Sequence, residues 1–255
     1  MERMIANRLK WYLDKIKLLS DAQCGFRTDR STKDCLMKLH DDLYKSIANK
    51  RFSVAIFLDI EKAYDLVWRK GLLYKLSELG IKGNILAWLT SFLSSRSFKF
   101  RVCSTLYVKT FLENGVPQGS VLSPLLFSIM INDLPKDIRS NINIFADDIC
   151  IWESSLNLQE VIANLQSSLD KISTWCKSWG FRITSEKSAA MVFTRRRNFP
   201  PVRLKVNDIT IPMKEEYKYI GIILDTKLSF NAHSKMVEKK CHTRINFMRL
   251  LSRTS

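Results

Sequence analysis

Apolar residues recur along this chain with two different periods, and the switches between them mark most of its elements. Ile5, Leu9, Leu13 and Ile16 return at helical spacing, which predicts an amphipathic helix over residues 2–18. It reads as a surface helix whose packing partner lies elsewhere. A second amphipathic helix is predicted over 32–48, beyond the loop QCGFRTDRS. SVAIFLDI, residues 53–60, is apolar and β-branched and too short for a typical helix, so it reads as a buried strand. Glu61 to Leu79 then reads as one helix with Gly80 as its C-terminal cap.

Farther on, the alternation in SFKFRVCSTLYVKTFLENGV suggests a hairpin, and SPLLFSIMINDL a buried helix with Ser123 as N-cap and Pro124 at its first turn. NINIFADDICIW, residues 141–152, reads as two short strands folded about Asp147-Asp148. Leu158, Ile162, Leu165, Leu169, Ile172 and Cys176 form a helical stripe within Leu156 to Trp179, which Gly180 ends. Strands follow near AAMVF, in a hairpin RLKVNDITI turning on Asn207-Asp208, and in YKYIGIIL; Lys235 to Leu251 is a basic helix. Strands alternating with helices and hairpins predict an α+β fold, a sheet with helices covering one face.

Composition narrows the function. With 255 residues and 46% hydrophobic content the chain can fill a core, and 11% aromatic residues argue against disorder. Its 41 Lys+Arg against 25 Asp+Glu give a net charge of +16, which favours a polyanionic partner because neutralising phosphates releases counterions. Cys24, Cys35, Cys103, Cys150, Cys176 and Cys241 form no C-x-x-C pair, and the three histidines are scattered, so neither zinc nor a disulfide framework is indicated. They read as thiols of a reducing compartment, implying an intracellular protein, cytoplasmic or nuclear and not secreted. No stretch is apolar enough to span a bilayer. The segment MERMIANRLKWYLDKIKLL lacks the uninterrupted apolar region expected of a secretory signal.

The strongest chemical constellation is acidic. Asp59 ends the buried strand, and Asp147 and Asp148 sit in a hairpin turn. Adjacent strands would gather three carboxylates at one sheet edge, where like charges repel and divalent cations relieve them. Hard oxygen donors suit Mg²⁺. An Asp-Asp turn alone is commonly just solvated, so the neighbouring motifs decide.

FLDIEKAYDLVW, GVPQGSVLSPLLF and FADDI occur in that order, with QCGFRTDRSTKDCL upstream and WGFRITSEKS and YKYIGIILDTKLSF downstream. The set resembles the reverse transcriptases of non-LTR retrotransposons, the long-interspersed-element and jockey-like kind, from about residue 1 to 240. The resemblance implies a right-hand polymerase palm, an antiparallel sheet backed by helices, with partial fingers and a stub of thumb. Its expected segments are partial fingers over 1–52, palm over 53–194, the end of the palm with the primer grip over 195–230, and the start of the thumb over 231–255. It implies an RNA template, a DNA primer, deoxynucleoside triphosphates and two Mg²⁺ ions, with Mn²⁺ as a substitute, and no membrane.

Residue by residue, the resemblance implies that Asp59 and Asp147 bind both metals with help from the Ile60 carbonyl, Asp148 being a neighbouring carboxylate in a looser role. Tyr64 falls where the family places an aromatic gate against the ribose 2′-hydroxyl, and Asp65 is expected to cap or brace the following helix. Gln118 and Gly119 would lie beside the incoming nucleotide. Lys187 matches the lysine that protonates departing pyrophosphate. Tyr219 and Gly221 match the primer grip, and Arg27 would touch template. The family carries a longer basic fingers segment upstream, and Asn where this chain has Thr184. Fingers and thumb are therefore expected to be truncated, and the alternative to an active polymerase is a weak or inactive nucleic-acid-binding remnant.

Overall fold

The apolar run within residues 53–60 lies in a strand, Phe52–Asp59, buried on both faces, and the rest of the chain is arranged around it. The computed structural model describes residues 1–252 apart from 28, 95, 99–100, 103–104, 107–109 and 197, so Cys103 and Arg197 lie outside the described residues. In chain order its elements begin with α1 (Glu2–Lys15), α2 (Thr32–Ala48), β1 (Phe52–Asp59), α3 (Arg69–Glu78) and α4 (Gly83–Leu93). Four two-residue strands follow, β2 (Ser97–Phe98), β3 (Arg101–Val102), β4 (Thr105–Leu106) and β5 (Thr110–Phe111), then α5 (Ser123–Met130). Next come β6 (Asn141–Phe145), β7 (Asp148–Ser155), α6 (Leu158–Trp179) and β8 (Ala189–Phe193). The C-terminal part holds β9 (Lys205–Val206), β10 (Ile209–Thr210), β11 (Glu216–Tyr219), β12 (Ile222–Asp225) and α7 (Asn231–Ser252).

The central sheet is antiparallel, in the order β6-β7-β1-β8. Alternate residues of β1 feed two cores. Val54, Ile56 and Leu58 join the larger one with α1, α3, α4, α5 and α6. Ala55 and Phe57 join a second one with Leu39, Leu43 and Ile47 of α2 and Tyr219 and Leu224 of the β11–β12 hairpin. The α+β class holds, but helices on one face are only half of the arrangement. Cover on both faces explains why β1 reads as continuously apolar rather than alternating.

Several local expectations meet their mechanism. Ser31 caps α2 by accepting from the Lys33 amide at 3.2 Å while Asp34 accepts from the Ser31 amide at 2.6 Å, a reciprocal box that contributes about 1 kcal/mol. Gly180 ends α6 with a left-handed φ of 78°. Asn207 and Asp208, at φ 47° and 67°, make the tight turn between β9 and β10. The hairpin expected near residue 100 is present as β2 paired with β5 and β3 with β4.

Other expectations need correction. The helix expected from Glu61 starts at Arg69, because residues 61–66 form turns stitched to a later loop: Val116 and Gly115 donate to the carbonyls of Tyr64 and Val67 at 2.9 and 2.8 Å. α4 has no counterpart among the sequence expectations; Leu89 and Leu93 bury one face of it. Ser123 is the first residue of α5 rather than its cap, and its hydroxyl donates to the Pro117 carbonyl. YKYIGIIL is a hairpin, not one strand. The stripe of α1 finds its partner within this chain: Ile5, Leu9 and Leu13 are buried in the larger core, and the Tyr12 hydroxyl donates to the Leu79 carbonyl at 3.1 Å. Among the described residues no helix is long and apolar enough to cross a membrane.

Candidate active site

β1 runs out at Asp59 where β7 begins at Asp148, and the ladder pairs these two residues directly. Residues opposite one another in an antiparallel ladder leave the sheet on the same face. Both carboxylates therefore lie on the side of Phe57 and Cys150. Phe145 pairs with Asp148, so the bend is Ala146-Asp147, one residue earlier than expected, with Ala146 at φ 56°. Asp147 thus sits in the turn at the same sheet end. The three acids share one sheet end.

Their mutual repulsion is visible in Asp148. Burial first, then Asp147, then Asp59 push its carboxyl up to about 6. Among the described residues the ion pair to this cluster comes from Lys187, whose Nζ lies 3.6 Å from Asp59 Oδ2 and whose side chain is 71% exposed. A flexible, solvated ammonium offsets little of that charge. Tyr217 adds a phenol: its ring stacks on Phe57 at 4.7 Å, and its hydroxyl donates to the Lys187 carbonyl at 3.0 Å. Burial, Asp148 and Asp59 push that phenol up to about 12. An isolated bridge joins Ile60 to Ile183; its hydrogen bonds use the carbonyls of Asp59 and Arg182, not that of Ile60.

Beside the cluster, the Tyr64 ring is half-buried and stacks on Phe127 at 5.1 Å. Burial and the charge of Asp147 both raise its phenol above the ordinary range. Asp65 does not cap α3, whose N-cap is Trp68; its Oδ1 accepts from Gln118 Nε2 at 3.0 Å, tying the two motifs together. Gly119 follows at φ 83° in an open, exposed turn.

The remaining candidates have different surroundings. Arg27 is a loop brace, 15% exposed, donating to the Ser20 carbonyl at 2.9 Å. Tyr219 is buried at 2% exposure against Phe57, so any primer contact there has to come from backbone rather than its ring. Gly221 forms the exposed β11–β12 turn at φ 88°.

The donor set tests the fit of a metal. Among the described residues no three Asp, Glu, His or Cys side chains form a ready-made ion cage. The carboxylates nevertheless share one sheet end with their charge largely uncompensated, and hard oxygens of this kind fit Mg²⁺.

Residues 1–224 match the family described as reverse transcriptase (RNA-dependent DNA polymerase). The chain belongs to the reverse transcriptase family. A probable RNA-directed DNA polymerase from transposon BS of Drosophila melanogaster is 32% identical over 264 residues, covering 100% of this chain and 29% of that protein. The RNA-directed DNA polymerase from mobile element jockey of the same fly is 33% identical over 255 residues, covering 96% of this chain and 27% of that protein. The reverse transcriptase chain thus spans under a third of these jockey-like, non-LTR relatives. Apo telomerase from Candida tropicalis shares the fold, with a TM-score of 0.64 at 11% identity over 91% of this chain and 40% of that one. The architecture is the polymerase right-hand palm.

Two residues of this candidate site escaped sequence reasoning. Tyr217 shares a strand face with Tyr219 by the two-residue period, which was the signal available. Gly25, inside the QCGFR motif, packs against the backbone of Ala146.

The charge on Asp148 has a measurable cost. Its folded pKa is raised, so the penalty is absent below the unfolded value near 3.8 and fully present above about 6. A shift of that size corresponds to roughly 3 kcal/mol unscreened, and to about 1–2 for a half-buried group. Asp148→Asn is therefore expected to raise the melting temperature at pH 7 by roughly 3–6 °C, with the gain vanishing near pH 4. Equal gains at both pH values would show that charge is not the cause.

Proposed function

We propose that the chain is the polymerising core of an RNA-directed DNA polymerase, adding deoxynucleotides to a primer 3′-hydroxyl along an RNA template. One observation carries the reading: the ladder that pairs Asp59 with Asp148 beside the turn holding Asp147. In it Asp59 and Asp147 supply carboxylate oxygens for Mg²⁺, or Mn²⁺ in its place, with the Ile60 carbonyl assisting and Asp148 outside the inner set. Two such ions, when bound, supply activation of the attacking hydroxyl and neutralisation of the leaving pyrophosphate.

The chain's own residues do the positioning. Tyr64, stacked on Phe127, presents an aromatic edge where a 2′-hydroxyl would collide with it. Gln118, held by Asp65, fixes the loop flanking the nucleotide. Lys187 stands beside Asp59, where its Nζ can pass a proton to a departing phosphate oxygen. The net charge of +16 suits a hybrid read by shape and backbone.

Primer extension on poly(rA)/oligo(dT) with dTTP tests this. Incorporation is expected to require both template and Mg²⁺; salt-dependent binding of the hybrid with no incorporation by the wild type leaves only a nucleic-acid-binding role. Tyr64→Ala is expected to improve use of UTP relative to dTTP by about tenfold or more. Unchanged sugar selection would place the gate elsewhere.

A further inference from the structure

A cleft of about 650 Å³ opens between the end of α4 and the loop 112–118, with the hydrogen-bonded Asp65 and Gln118 in its wall. Two guanidiniums line it. Arg69 is 9% exposed and commits three of its five N–H donors to the carbonyls of Leu112, Asn114 and Gly115, at 2.6 to 2.8 Å. Those carbonyls satisfy hydrogen bonds without cancelling charge. Arg96 lies over the Phe92 ring at 5.0 Å. Neither arginine has a carboxylate in ion-pair range among the described residues.

The two cations also feel each other: burial first, then Arg96, lowers the proton affinity of Arg69. Two like charges held at one cleft, one of them buried, are costly unless an anion joins them. The acid on the wall, Asp65, already accepts from Gln118 and offsets one charge at most. Ser94, Ser97 and Asn114 add small polar groups around the opening.

We propose that the Arg69–Arg96 cleft is a phosphate-binding site, separate from the carboxylate cluster. Guanidinium forks match phosphate oxygens in geometry as well as charge. The site itself does not depend on the polymerase reading, but its natural ligand does: on that reading the phosphate belongs to a nucleic-acid backbone or to a nucleotide.

Arg96 is the residue to change, because Arg69 also holds the loop together. Inorganic phosphate, compared with chloride at equal ionic strength, is expected to raise the melting temperature of the wild type by roughly 3 °C or more at tenfold excess over its Kd. Arg96→Gln should lose that rise, and Arg96→Lys should keep part of it; circular dichroism verifies that both fold. Fluorescence anisotropy then separates the sources. A hybrid-binding loss of about fivefold in Arg96→Gln, with the salt slope lowered by about one, assigns the site to a backbone phosphate. Weakened dTTP binding with hybrid binding intact assigns it to a nucleotide. No phosphate-specific stabilisation of the wild type, or the same stabilisation in Arg96→Gln, overturns the proposal. A chain that binds phosphate but incorporates nothing would keep this site and lose the polymerase reading.

Discussion

Asp147→Ala is expected to lower metal-dependent dTTP incorporation by at least about 10³-fold, a loss of roughly 4 kcal/mol in transition-state stabilisation. The acid lies in the turn beside the Asp59–Asp148 pair, so its removal takes away carboxylate oxygens at the point where the strands end. Folding should survive, because the residue is at a turn and its loss relieves part of what raises Asp148, where burial comes first and Asp147 second. Hybrid binding should also survive, or tighten slightly, since one negative charge leaves a chain of net charge +16. The combination separates the two readings. A catalytic acid changes incorporation and spares binding; in a nucleic-acid-binding remnant there is no incorporation to lose. Residual synthesis within tenfold of wild type would remove Asp147 from the chemistry.

Much of this site was legible because the chemistry and the strand signal coincide. Residues 54–58 are apolar up to the acid that follows them, so Asp59 could be placed at a strand terminus without any structure. The Asp-Asp pair between two β-branched runs likewise announced a turn. What could not be read was which face each residue takes, since that depends on register. A shift of one position in the bend moved Asp148 onto β7 and set it against Asp59, facing Phe57 and Tyr217. Tertiary ties were also invisible. Residues 61–66 have helical composition, yet the Tyr64 carbonyl is claimed by Val116, that of Val67 just beyond by Gly115, and the Asp65 side chain by Gln118. Local propensity is a weak prior where long-range hydrogen bonds compete for the same backbone. Tyr219 shows the same limit: its motif suggested a surface contact, while the two-sided burial of β1 draws the ring into the second core.

Gly25→Ala is expected to cost about 10²-fold in turnover although residue 25 bears no reactive group. The loop that carries it is sewn to the edge of β6: Cys24 donates to the Ile144 carbonyl at 2.9 Å, and Ile144 donates to the Ala22 carbonyl at 2.8 Å. That seam brings Gly25 so close to the catalytic bend that a Cβ would lie 2.6 Å from the Ala146 backbone nitrogen. Ordinary contact needs roughly 3.5 Å, so loop and bend must separate by about an ångström. The hydrogen bonds resist movement of the loop, which directs the displacement toward Ala146 and therefore toward Asp147. Misplacing a reacting group by about 1 Å costs on the order of 10²-fold, whereas overpacking of this kind costs only about 1–3 kcal/mol of stability. Gly83→Ala provides the comparison: at φ 63° the new methyl is strained but meets nothing within 4 Å, at a helix start. It should lower stability by about 1 kcal/mol and leave turnover unchanged. Turnover on saturating hybrid and melting temperature, measured for both variants, decide the matter. If Gly25→Ala loses stability alone, as Gly83→Ala does, the loop does not set the position of the bend.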